Sequence, residues 1–142
     1  MSWRRRSLRK LQKSTVSRKS EGLATYGLAK TIDLSCLKEK ELIQTAVGVH
    51  QVQFHFDADI CISVENTFFH YWKEESWRWN SGDVLGASSV LALIGNKVTD
   101  ISVSSPDTLW PDFSNEHRLA ILDDSRQYES FTITWPGTTI VV

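Results

Sequence analysis

Val52-Gln53-Phe54-His55-Phe56, the turn Asp57-Ala58-Asp59, and Ile60-Cys61-Ile62-Ser63-Val64 decide how this chain folds. Val52, Phe54 and Phe56 alternate with Gln53 and His55, and Ile60, Ile62 and Val64 resume the pattern after the acidic turn. A strand turns successive side chains to opposite faces, so this period of two sends one set into a core and the other towards water. Val47 and Val49 alternate just upstream, so two hairpins are expected back to back from about residue 45 to 65. Phe68, Phe69, Tyr71 and Trp72 continue into a further strand.

On the N-terminal side, Asp33 or Ser35 can cap a short helix near 34–43. On the C-terminal side, Val84, Ala87, Leu91 and Ile94 recur at helical spacing, with Val90 and Leu93 widening the stripe. Asp83 is a plausible cap, and Gly95-Asn96 ends the helix through the left-handed conformation that glycine adopts freely. Strands return at Val98/Ile101/Val103, Leu109/Phe113, Leu119/Ile121, Phe131/Ile133/Trp135 and 138–142, with Pro111 marking an edge or a bulge. The expected fold class is α+β, mainly antiparallel β: two related β-meanders joined by one helix over about 84–94.

The two meanders read as an internal duplication over about 42–72 and 93–135. Setting Phe56 against Phe113 also sets Val52 against Leu109 and Asp59 against Glu116, with Leu42-Ile43 matched to Leu93-Ile94. On this reading the second half carries two extra residues in its turn. Chance similarity of two alternating segments is the competing explanation.

The chain has 142 residues, of which 41% are apolar and 23% charged, enough for one domain with its own core. The charge is unevenly placed. Residues 1–20 hold eight basic residues and no acid; with −1 for the whole chain, residues 21–142 carry −9. Residues 1–22 are therefore expected to be a basic, disordered arm and 23–142 a single β-rich domain. Cys36 and Cys61 make no CxxC pair, so two buried thiols are expected rather than a disulfide or a metal site. No apolar run approaches 18 residues and no signal-peptide core follows the N-terminal charges, which points to the cytoplasm and away from a membrane.

Several runs resemble a family of small bacterial proteins of uncharacterised function. They are Leu93-Ile94-Gly95-Asn96-Lys97-Val98-Thr99, Asp112-Phe113-Ser114-Asn115, Leu122-Asp123-Asp124-Ser125 and Tyr128-Glu129-Ser130-Phe131-Thr132-Ile133, with Gln51-Val52-Gln53-Phe54 and Ile62-Ser63-Val64-Glu65 earlier. The resemblance covers about residues 42–142 and is strongest over Tyr128–Ile133. The chain departs from it at Glu116-His117, where a glycine is usual, and at Trp110-Pro111, where a strand would alternate. What it implies is the fold, with no activity attached.

Chemistry-bearing residues do not assemble from spacing alone. A metal needs three or four convergent ligands, and His50, His55 and Asp57 offer no such set. His70, Glu74, Glu75 and His117 could supply an acid and a base, but nothing in their spacing brings them together. Cys61, Ser125 and Ser130 are nucleophiles without a motif. No catalytic residue, cofactor or metal is expected. The better candidate is an aromatic run, Tyr71, Trp72, Glu74, Glu75, Trp77, Arg78 and Trp79, since Trp, Tyr and Arg dominate binding hot spots. The alternative for those indoles is a roof over the core. Asp123, Asp124 and Glu129 form an acidic loop.

The primary expectation is a non-catalytic protein-binding module, in its most concrete form like an immunity protein or antitoxin whose acidic body meets a basic partner. A second reading has Arg4, Arg5, Arg6, Arg9 and Lys10 holding nucleic-acid phosphates. A third is a small-ligand-binding β protein. A homodimer could form by strand addition at the Pro111 edge or the C-terminal strand.

Overall fold

The computed structural model describes residues 33–104, 107–123 and 130–142. Among these residues ten strands form two five-stranded antiparallel sheets. Sheet I has the order β1-β2-β3-β9-β10, from β1 (Leu42–Val47), β2 (Val52–Phe56), β3 (Ile60–Val64), β9 (Phe131–Trp135) and β10 (Thr138–Val141). Sheet II has the order β6-β7-β8-β4-β5, from β4 (Thr67–Trp72), β5 (Glu75–Asn80), β6 (Val98–Ser104), β7 (Thr108–Phe113) and β8 (Arg118–Leu122).

The alternation predicted from sequence holds. Val52, Phe54, Phe56, Ile60, Ile62 and Val64 are buried, and Gln53, His55, Cys61 and Ser63 lie on the other face, half-buried. Inner faces of both sheets share one core, in which Phe54 of sheet I meets Phe68 of sheet II edge-on with centroids 5.6 Å apart. Buried side chains of this size each contribute roughly 1.5–3 kcal/mol.

No α-helix occurs among the described residues, so the helical part of the α+β expectation is corrected. Leu85–Leu93 is a 3-10 segment, and Ser35–Leu37 is a single 3-10 turn where a short helix was expected. Three residues per turn changes the buried face. Ala87, Val90 and Leu93 point inward, whereas Val84, Leu91 and Ile94 are exposed. β-branched Val90 and the pair Ser88-Ser89 are weak helix formers, and Gly86 is hemmed in by the Asp83 carboxylate. Gly95 does end the segment, with φ 89°. The segment follows β5 and leads into β6, packing against β5 and β1, the edge strands on one side of the two sheets.

Two further expectations are corrected. Pro111 does not mark an edge, because β7 lies inside sheet II between β6 and β8. Proline lacks an amide hydrogen, and the β7–β8 register is interrupted at Trp110 and Pro111. Only the C-terminal strand β10 remains as an edge of the two proposed for dimerisation. Cys36 and Cys61 are free and only partly buried.

The pairing scheme repeats. Each half supplies a three-stranded meander to one sheet and a hairpin to the other: β1–β3 with β4–β5, then β6–β8 with β9–β10. Leu42 faces Phe56 and Val98 faces Phe113, and each pair is followed by a register shift at the same place. Phe56↔Ile60 and the Phe113 amide to His117 carbonyl bond (2.9 Å) close turns of equal length, so the second half needs no extra residues there. The match is Leu37 with Leu93 and Leu42 with Val98, not Leu42 with Leu93. The halves meet at an antiparallel bridge, Glu41↔Lys97. Around it the Leu42 amide donates to Asn96 O (2.9 Å) and the Val98 amide to Lys40 O (3.0 Å). The Gly95 amide donates to Leu42 O (2.8 Å) and the Glu39 amide to Val98 O (2.7 Å). Glu39 shares the left-handed backbone of Gly95, with φ 67°.

Candidate functional site

The aromatic run of β4 and β5 divides between two faces, because alternate residues of a strand point opposite ways. Trp79 is fully buried and stacks on Phe68 at 5.4 Å, so it is a core residue. Trp77 points the same way and packs on His70, at 4.8 Å. Tyr71 and Arg78 lie on the outer face. Glu74 sits in the two-residue turn and Glu75 beside Trp72, both exposed and joined to neither cluster.

The outer face of sheet II gathers residues from four strands. Phe69 and Tyr71 of β4 lie nearly parallel, with centroids 6.1 Å apart, and Tyr71 lies 6.2 Å from Trp110 of β7. Arg78 of β5 places its guanidinium 5.6 Å from the Phe69 centroid, and Arg118 of β8 lies 4.9 Å from that of Trp110. Arg118 is fixed by Asp112, with Nε 2.6 Å from Oδ1 and Nη2 3.2 Å from Oδ2; that hydrogen bond holds its pKa above the usual value. Trp110 Nε1 donates to Ser104 Oγ at 2.7 Å. Ala120 pairs with Phe69 across the β4–β8 register, so the row has a small residue at its middle. Phe69, Trp110 and Arg118 were not among the sequence candidates. Trp110 and Arg118 lie far from Tyr71 in sequence, and only the β4–β8–β7 pairing gathers them.

Behind this face lies a second cluster. His70 is fully buried and His117 nearly so. His70 Nε2 lies 2.7 Å from His117 Nδ1, and His70 Nδ1 lies 2.7 Å from Ser89 Oγ of the 3-10 segment. Trp72 stacks on His117 at 5.1 Å, and Lys73 sits 4.7 Å from the centre of that indole. Structure thus unites two of the four residues considered for acid–base work, His70 and His117, and leaves Glu74 and Glu75 out. Ser89–His70–His117 has the connectivity of a nucleophile, a base and an orienting group. Burial, then the neighbouring His117, push the pKa of His70 down to about 4, and burial lowers that of His117. A base that weak takes a serine proton poorly near neutral pH, and His117 offers no negative charge to stabilise an imidazolium. Near neutral pH the cluster is therefore uncharged.

The remaining candidates stay apart. His55 Nε2 bonds Gln53 Oε1 (3.0 Å), His50 Nδ1 bonds Ser81 Oγ (2.9 Å), and Asp57 Oδ1 accepts from the Glu41 amide (3.3 Å). Among the described residues no group of three His, Cys, Asp or Glu converges as for a metal. Burial pushes the Cys61 thiol up, away from the reactive thiolate. Asp123 accepts from Ser130 Oγ at 3.1 Å, while Asp124, Ser125 and Glu129 lie outside the described residues. Arg4, Arg5, Arg6, Arg9 and Lys10 lie outside them as well. Among the described residues no helix is long and apolar enough to cross a membrane.

Comparison with family models, with curated proteins and with solved structures finds no match to this chain.

Proposed function

We propose that this chain is a non-catalytic protein-binding module that reads its partner with the outer face of sheet II. The observation that carries the reading is the row Phe69, Tyr71 and Trp110 flanked by Arg78 and Arg118. Aromatic residues and arginine supply most hot-spot energy, and rings already packed against guanidinium groups lose little freedom on binding. The outer face of sheet I offers no such surface: its equivalent positions hold Gln53, Cys61, Ser63, Thr132 and Thr134. The charge of −9 on residues 21–142 favours a basic partner. An immunity-like or antitoxin-like role, in a cytoplasmic setting, is the concrete form of this proposal.

The test is capture of a partner by the full-length chain, followed by reconstitution from purified components at pH 7.5. Tyr71→Ala and Arg78→Ala should each weaken the purified complex by about tenfold or more, as hot-spot truncations do. Unchanged affinity in both, with the fold intact, would remove sheet II from the account. A chain lacking residues 1–22 is run alongside. Binding that is confined to nucleic acid, needs those residues and is stripped by salt would replace this reading with the nucleic-acid one.

A further inference from the structure

We infer that the buried His70–His117 pair is a proton-operated latch: taking up two protons parts the rings and disorders the aromatic face behind which they lie. The inference rests on the proposed binding role of that face for its biological meaning, but the coupling belongs to β4 and β8 alone.

Sequence neighbours make the connection short. In β4, His70 points inward between Phe69 and Tyr71, which point outward. In the second arm of the latch, His117 directly precedes Arg118, whose guanidinium covers Trp110 and bonds Asp112. Any displacement of the two imidazoles is therefore felt, one peptide unit away, by Tyr71 and Arg118.

The hydrogen bonds set how many protons the pair tolerates. In the neutral state one ring nitrogen donates and the other accepts across 2.7 Å. One added proton is accommodated on His117 Nε2, because His117 Nδ1–H then donates to His70 Nε2 while His70, still neutral, donates its Nδ1–H to Ser89 Oγ. A second proton sets two N–H groups face to face and two positive charges within hydrogen-bond distance, which low-dielectric surroundings penalise heavily. The groups facing the pair do not offset this. β4 contributes Trp72, with the Lys73 ammonium against that indole; β5 contributes Trp77; the 3-10 segment contributes Ser89. Among the described residues no carboxylate bonds either ring.

Sheet I shows the same architecture without the device. Ile133 occupies the position of His70 and Ile60 that of His117, as the shared registers require. An apolar pair fills this slot adequately, so the histidines are not dictated by packing.

The test uses the full-length protein labelled with 15N. Histidine ring signals, the Trp110 indole N–H and the Tyr71 ring signals are followed from pH 7.5 to 3, with Trp110→Phe to assign the indole. The Trp110 and Tyr71 signals should move together with the second histidine proton. His70→Ile with His117→Ile, which copies sheet I, should leave them flat over the range. His117→Gln keeps a hydrogen-bonding partner for His70 but removes one titration, so the transition should become a one-proton process of lower steepness. Signals at Trp110 and Tyr71 that stay flat in the wild type after both His70 and His117 have taken up their protons would overturn the latch. So would movement that persists unchanged in both variants. Either result would leave the binding reading standing, because the Tyr71 and Arg78 substitutions test that at pH 7.5.

Discussion

Sheets I and II are built on one pairing scheme and finished differently. Both carry a bulged first hairpin, an equal second turn and a two-residue hairpin at the far side. In their cores the equivalent Phe68 and Phe131 are both buried. They diverge at two layers of sheet II, where Ile60 and Ile133 give way to His117 and His70, and where Thr132 and Thr134 give way to Phe69 and Tyr71. Backbone pairing tolerates either set, so the shared frame explains the fold and the divergence has to be explained by something else. A buried polar pair costs more than an apolar one unless fully hydrogen-bonded, and large rings on an outer face contribute nothing to the inner core. Both departures concentrate on β4 and β8.

The largest effect tests whether the two cores are equivalent. Phe68→Ala and Phe131→Ala should each destabilise by roughly 3–5 kcal/mol, measured by denaturant unfolding. A difference of more than about 2 kcal/mol between them would break the equivalence. Next comes pH. The pKa of His70 is lowered from 6.5 to about 4, so the unfolded chain binds more protons than the folded one across that window. Stability is full above pH 6.5 and is lost as the pH falls towards 4, by roughly 3 kcal/mol. Converting His70 and His117 to isoleucine should flatten that dependence in unfolding curves taken at each pH.

A smaller effect concerns the matched left-handed positions. Gly95→Ala should cost about 1 kcal/mol, whereas Glu39→Gly should stabilise by a few tenths to about 1 kcal/mol, since Glu39 bears the strain Gly95 avoids. A gain from Gly95→Ala, or a loss from Glu39→Gly, would show that the two sites are not equivalent. Smallest of all, Thr132→Ala and Thr134→Ala on sheet I should shift stability by under about 0.5 kcal/mol each. They should also leave partner affinity unchanged; a loss of affinity there would move the binding surface to the other sheet.

The strands were legible because one buried face imposes a period of two. Val52 to Val64 could hardly be read otherwise. The 3-10 segment was misread because Val84, Ala87, Leu91 and Ile94 fit a period of 3.6, while the chain adopts three and buries Ala87, Val90 and Leu93 instead. Pro111 suggested an edge or a bulge because proline is usually excluded from interior ladders, yet β7 is interior and keeps one register with β8 on either side of a local break in pairing. The histidine pair spans 47 residues and depends on β4 lying beside β8, a long-range pairing with no local signal. One clue was present. Aligning Phe56 with Phe113 without added turn residues sets His117 against Ile60, a histidine in a slot where the first half is apolar. The outer face was half legible: Tyr71 and Arg78 stood out, but Trp79 belongs to the core and Trp110 was masked by its neighbour Pro111.

The exchange of hairpins between sheets has a consequence for synthesis. β3 acquires its outer neighbour only from β9, and β4 its inner neighbour only from β8. When the first 80 residues have left the ribosome, β3 and β4 each present a bare edge, and the strands that cover them are still to be made. At roughly 5–20 residues per second that interval lasts several seconds. Nascent chains on one messenger carry the same bare edges, so dense translation would favour pairing between molecules over pairing within one, and slow or well-spaced ribosomes should raise the yield of folded protein.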